Sequence, residues 1–168
     1  MELELLLNRY EKGQISRREL LGALSAIAMA APAAAADPPA IGTAEQLNHV
    51  TLFVQDVQKS VAFYQSLFGM PVLTPQGPGI NLKAGSSFLG IYPAQGGTVG
   101  INHVCLGLDG FDADVTLTRL RDRGLDANVR LRGDTKELYF TDPDKIRVQL
   151  QDVRYRGGVG PLGDRDPK

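Results

Sequence analysis

Tryptophan is absent, cysteine occurs once and histidine only twice in this chain of 168 residues. A single thiol, Cys105, excludes both an intrachain disulfide and a paired-cysteine metal site. Its mid-strand place among apolar neighbours reads as a small buried side chain. A net charge of −1 with no basic stripe offers no surface to track the phosphates of nucleic acid. Long apolar runs are missing too: the uncharged stretch after Glu19 is alanine-rich and too weakly apolar for stable membrane insertion. What remains, 43% hydrophobic and 22% charged, suits one compact soluble domain.

The two histidines sit in an internal repeat. Leu47 to Gly69 reads N-H-V, an alternating apolar strand, an acidic turn and a helix stopped by glycine, and Ile101 to Gly124 repeats that grammar. His49 and His103 hold the same place in both copies, 54 residues apart. Two copies point to a duplicated unit. Within the first strand Val50, Leu52 and Val54 share one face, while His49, Thr51 and Phe53 share the other, so His49 is off the aliphatic face.

Short β-type runs follow each helix. In the first half they are Pro71 to Thr74, Gly79 to Ala84 and Ser87 to Tyr92, separated by turn signals. The second half has a strand at Ile101 to Leu108, a helix at Phe111 to Arg123, then strands near Asn128 to Leu131, Glu137 to Thr141 and Arg147 to Val153. The turn Asp142-Pro143-Asp144-Lys145 joins the last two. The fold class is therefore α+β, with two βαβββ modules at 47–94 and 101–153. Residues 37–46, with Asp37-Pro38-Pro39-Ala40, read as a stiff linker, and 154–168 as a loose tail.

Two βαβββ units, each opened by N-H-V, with a D-P-x-x turn before the last strand, resemble the vicinal oxygen chelate family over about Leu47 to Val153. That family holds glyoxalase I, extradiol dioxygenases, fosfomycin and bleomycin resistance proteins and epimerases. The resemblance implies a cup-shaped mixed sheet with metal ligands on the opening and closing strands. Carried over, His49 and His103 are ligands, and the place of the family's closing glutamate falls on Gln149. Parity agrees, because Arg147, Gln149 and Gln151 share the face on which His103 points. The family's turn glycine is replaced by Lys145. The first-module counterpart of Gln149 falls on Gly90, with Gln95 a weaker choice. Tyr139, ten residues before Gln149, has the spacing of an extradiol active-site tyrosine. Phe53, Gly90 and Tyr92 share the cup face as substrate contacts.

The resemblance implies a divalent metal (Fe, Mn, Zn or Ni) and a small oxygenated substrate, handled by a metal-dependent lyase or an extradiol-type dioxygenase. The alternative is a metal-free cup that sequesters a small molecule, as resistance proteins do. A homodimer is expected from the same family. At the start of the chain, Ser16-Arg17-Arg18, an alanine-rich run and Ala34-Ala35-Ala36 resemble a twin-arginine export signal over residues 1–36. That predicts an exported protein, periplasmic or extracellular, against the cytoplasmic alternative.

Overall fold

The computed structural model describes residues 2–30 and 38–167. They divide into an N-terminal unit up to Pro39 and a larger unit from Ala40. The first holds two helices, α1 (Glu2–Glu11) and α2 (Arg17–Ala30). Ser16 begins α2 through a reciprocal cap: Glu19 N–H donates to Ser16 Oγ at 3.3 Å, and Ser16 N–H to Glu19 Oε2 at 2.8 Å. Arg17 and Arg18 thus occupy its exposed first turn. The alanine cleavage motif expected at 34–36 lies outside the described residues. Among those described, no helix is long and apolar enough to cross a membrane.

The larger unit is one eight-stranded mixed sheet with two helices. Its elements are β1 (Ala44–Val54), α3 (Val57–Phe68), β2 (Val72–Gln76), β3 (Gly79–Ala84), β4 (Ser87–Pro93), β5 (Gly100–Leu108), α4 (Ala113–Arg121), β6 (Asn128–Arg132), β7 (Thr135–Thr141) and β8 (Arg147–Asp152). The strand order is β2-β3-β4-β1-β5-β8-β7-β6. Each module therefore folds as expected, and the modules join where β1 pairs antiparallel with β5. The cup is complete within one chain.

The acidic residue after each opening strand caps the helix that follows. Asp56 accepts from Lys59 N–H at 2.9 Å, and Asp112 accepts from Asp114 and Val115 N–H at 2.9 Å. Gly69 closes α3 in the left-handed region at φ 62°. Each helix covers its own aliphatic core. One is Val61, Leu82 and Ile91 with Val54, Val57 and Tyr64; the other is Leu108, Leu120, Leu138 and Leu150 with Phe111, Leu117 and Phe140. Burying the aliphatic face of every strand leaves its polar alternates to line the cup.

Two expectations are corrected. Pairing of Ala44 with Leu108 and Gln46 with Gly107 extends β1 backward, so 44–46 belong to the sheet and not to the linker. The segment after Val153 is not loose: Tyr155, Gly157, Gly158, Gly160 and Gly163 are buried. Backbone bonds link Arg156 to Leu162 and Val159 to Arg165. Its order comes from side chains elsewhere that catch its carbonyls, which local apolar content does not report.

Candidate metal and substrate site

Register places the expected ligands with little freedom. In the parallel pairs, β1 matches β4 as Val50 to Leu89 and β5 matches β8 as Val104 to Val148. Overlaying the modules on these pairs makes Phe88 equivalent to Arg147, Gly90 to Gln149 and Tyr92 to Gln151.

His49, His103 and Gln149 converge at the cup base, all three buried. The imidazole Nε2 atoms face each other at 3.2 Å. Their tautomers follow from the neighbouring asparagines. Asn48 Nδ2 donates to the Val153 and Tyr155 carbonyls at 3.3 and 3.0 Å, so its Oδ1 is what meets His49 Nδ1, at 2.9 Å. Arg147 donates to Asn102 Oδ1 at 3.2 Å, which therefore accepts from His103 Nδ1 at 2.8 Å. Both rings carry their proton on Nδ1, leaving two bare Nε2 lone pairs opposed. Burial first holds the His49 pKa well below its usual value, with His103 adding to the effect. Burial and then the Arg147 charge lower that of His103 to about 4.

A metal fits this arrangement. Two nitrogens bonded to one ion at about 2.0–2.1 Å, at angles between octahedral and tetrahedral, stand about 2.8–3.4 Å apart. The carboxamide of Gln149 faces both rings, and its Nε2 is buried without a partner. With Oε1 toward the rings, three acceptors meet with no proton among them, an arrangement that a cation would satisfy. The set is uncharged; among the described residues no cluster of three His, Cys, Asp or Glu side chains exists.

The cup above the base has a volume of about 340 Å³. Phe53, Tyr92 and Tyr139 line it as expected. Gly90 does not: its Cα is enclosed by Thr51, Tyr92 and Asn81, and a Cβ there would lie 3.1–3.2 Å from them. Gln95 is exposed in the loop beyond β4. Cys105 is fully buried beneath the cup, its thiol pKa raised by burial and then by Glu137.

Several residues went unread in the sequence. Glu137 is buried, with Oε1 2.7 Å from Arg132 Nε and Oε2 3.2 Å from Arg130 Nε. Tyr139 donates to Glu137 Oε2 at 3.1 Å, and burial first, then Glu137, pushes its phenol pKa up. The remaining donors of Arg132 reach Gln76 Oε1 at 2.6 Å, Tyr155 Oη at 2.6 Å, and the Gly157 and Gly158 carbonyls at 3.0 and 2.6 Å. Since β2 and β6 are the two edges of the sheet, Arg132 buckles one edge to the other and pins the C-terminal segment across them. The signal was parity: Arg130, Glu137 and Tyr139 alternate with Val129, Leu138 and Phe140 as His103 does with Val104.

Comparison with known proteins bears on the family and the fold. A metallothiol transferase FosB from Lysinibacillus sphaericus (strain C3-41) is 29% identical over 131 residues, 73% of this chain and 88% of that protein. Solved structures similar in fold include methylmalonyl-CoA epimerase from Mycobacterium tuberculosis, with a TM-score of 0.55 and 16% identity over 68% of this chain and 91% of that one. Another is the hypothetical protein BH1468 from Bacillus halodurans C-125, with a TM-score of 0.52 and 14% identity over 62% and 91%. Residues 46–150 match the model of the Glyoxalase/Bleomycin resistance protein/Dioxygenase superfamily, and the chain belongs to that superfamily.

Proposed function

We propose that this protein binds a divalent metal through His49, His103 and Gln149 and acts on a small oxygenated molecule in the cup, as a lyase or a dioxygenase. The observation that carries this is the pair of bare Nε2 atoms 3.2 Å apart, each locked by an asparagine. The metallothiol transferase relative supports a metal in such a cup. When bound, such an ion polarises the oxygens of its ligand as a Lewis acid. The chain's own groups do the rest. Phe53 and Tyr92 give the ligand an apolar wall. Tyr139 keeps its proton and aims its hydroxyl at Glu137, whose two oxygens are taken by Arg130, Arg132 and Tyr139. Glu137 therefore anchors charge and is not a free base.

The test is calorimetric titration of the metal-stripped full chain with zinc, manganese and iron(II). One equivalent should bind the parent, none should bind His49→Ala or His103→Ala, and Gln149→Glu should bind more tightly because it completes a two-histidine, one-carboxylate set. Equal affinity in the parent and both alanine variants sinks the metal reading. The result would favour the metal-free sequestering cup, to which the lack of a carboxylate ligand already points.

Export is proposed from the exposed arginine pair at the start of α2. Arg17→Lys with Arg18→Lys should hold the precursor in the cytoplasm, and unchanged export would refute it. A homodimer is proposed from family habit alone, checked by sedimentation.

A further inference from the structure

The cup holds more positive charge than its own carboxylate can balance. Three guanidinium groups, Arg130, Arg132 and Arg147, line it against one carboxylate, Glu137. Arg132 is saturated by Glu137, Gln76, Tyr155 and two backbone carbonyls. Arg130 is mostly exposed and shares Glu137. Arg147 differs from both: it is half-buried, holds its Cζ over the Tyr139 ring 4.1 Å from the centroid, and spends one donor on Asn102. Among the described residues it meets no carboxylate. A guanidinium held between an aromatic ring and an amide oxygen in this way is preorganised for an oxyanion, because its planar fork is already ordered before the ligand arrives.

The first module gives the cup no Arg, Lys, Asp or Glu to oppose Arg147: Phe53, Phe88 and Tyr92 line it beside the neutral Thr51, Gln76 and Asn81. The equivalent position in the first module is Phe88, stacked on His49 at 4.3 Å, with Phe53 and Tyr92 beside it. The C-terminal segment narrows the far side with Gly157 and Pro167. At about 340 Å³ the space is near the lower end of small-molecule pockets, which run from about 300 to 1,000 Å³. We propose that the cup selects a small amphipathic oxyanion, a carboxylate or phosphonate on an apolar body, with Arg147 as the specificity residue for the anion and Phe53 and Tyr92 for the body. This rests on the small-molecule reading above but not on its metal.

The experiment uses the full chain stripped of metal, titrated calorimetrically with benzoate, phenylphosphonate, acetate and benzamide, the last being the neutral counterpart of benzoate. One or both aromatic anions should bind at least about tenfold more tightly than benzamide, as a charge-assisted bond requires, and the stronger of the two identifies the anion. Acetate should bind more weakly than benzoate. Arg147→Gln should erase the preference over benzamide, and Arg147→Lys should keep part of it, with circular dichroism showing both variants folded. No saturable binding of either aromatic anion, benzamide matching them, or undiminished anion binding in Arg147→Gln overturns the proposal. Acetate matching benzoate removes the apolar wall from it. Because no metal is present, an unsuccessful zinc titration leaves these outcomes unaffected, and the two readings fail separately.

Discussion

The two modules share strand order, register and capping, yet they furnish opposite halves of the cup. Where the second module has Arg147, Gln149 and Glu137, the first has Phe88, Gly90 and Gly79. The first module has filled its emptied positions from within: Tyr92 packs over Gly79, and Asn81 and Thr51 crowd Gly90. A repeated backbone thus sets where side chains can meet, and the choice of side chain at each matched position decides which half is aromatic and neutral and which is charged. Of the matched positions that face the cup, the opening histidines remain alike.

The asparagines beside those histidines separate the modules most sharply. Asn48 is fully buried and holds two carbonyls as well as His49. Asn48→Ala should destabilise the fold by about 3 kcal/mol, since it strands several buried partners. Asn102 is half-buried, and among the described residues its side chain bonds His103 and Arg147 alone, so Asn102→Ala should cost about 1 kcal/mol. Urea unfolding of both variants reads the difference, and equal losses would contradict it.

Acid should reveal the same asymmetry. With the folded pKa of His103 held near 4 and an unfolded value near 6.5, the unfolded chain takes up a proton that the native one refuses. Stability present above pH 6.5 is therefore lost as pH falls toward 4, by on the order of 3 kcal/mol from this ring. His49 adds a loss of the same sign. Arg147→Gln should shrink the His103 share and leave burial, with the Arg130 charge, as its cause. Thermal melts of metal-free protein across that range test this, and a flat profile would refute it.

Restoring symmetry should carry a smaller cost. Gly90→Gln copies the second module into the first, but its Cβ would sit 3.1 Å from Thr51 Oγ1 and from Tyr92. A loss of about 2 kcal/mol is expected from this overpacking, measured by urea unfolding, with no second equivalent of zinc bound. The smallest effect lies in the last turn. Lys145 sits at φ 69°, a left-handed conformation in which a Cβ is strained, where the family pattern has glycine. Lys145→Gly should raise stability by about 0.5–1 kcal/mol, strain relief outweighing the added chain entropy, seen as a slightly higher melting temperature.

Much of this was readable from local signals. The repeat gave the modules, parity put His49, His103, Gln149, Phe53 and Tyr92 on one face, and an acidic turn in each copy announced the helices. Glu137 and Arg130 obeyed the same parity, yet charged residues on short strands near a sheet edge read equally well as a solvated face. The C-terminal segment was illegible for a different reason. Its order depends on the Gly157 carbonyl being caught by Gln76, Asn81 and Arg132, from strands distant in sequence, and glycine-rich sequence carries no pattern that reports such capture.

The opposition of Phe88 and Arg147 has one more consequence. A cup with true two-fold symmetry would offer any ligand two equivalent poses, related by the rotation that exchanges His49 with His103. An aromatic ring on one side and a guanidinium on the other remove that degeneracy, so an unsymmetrical guest has one favoured orientation. Of two neighbouring oxygens on such a guest, the same one would always lie toward β8, and the regiochemistry of whatever follows is set before any bond changes.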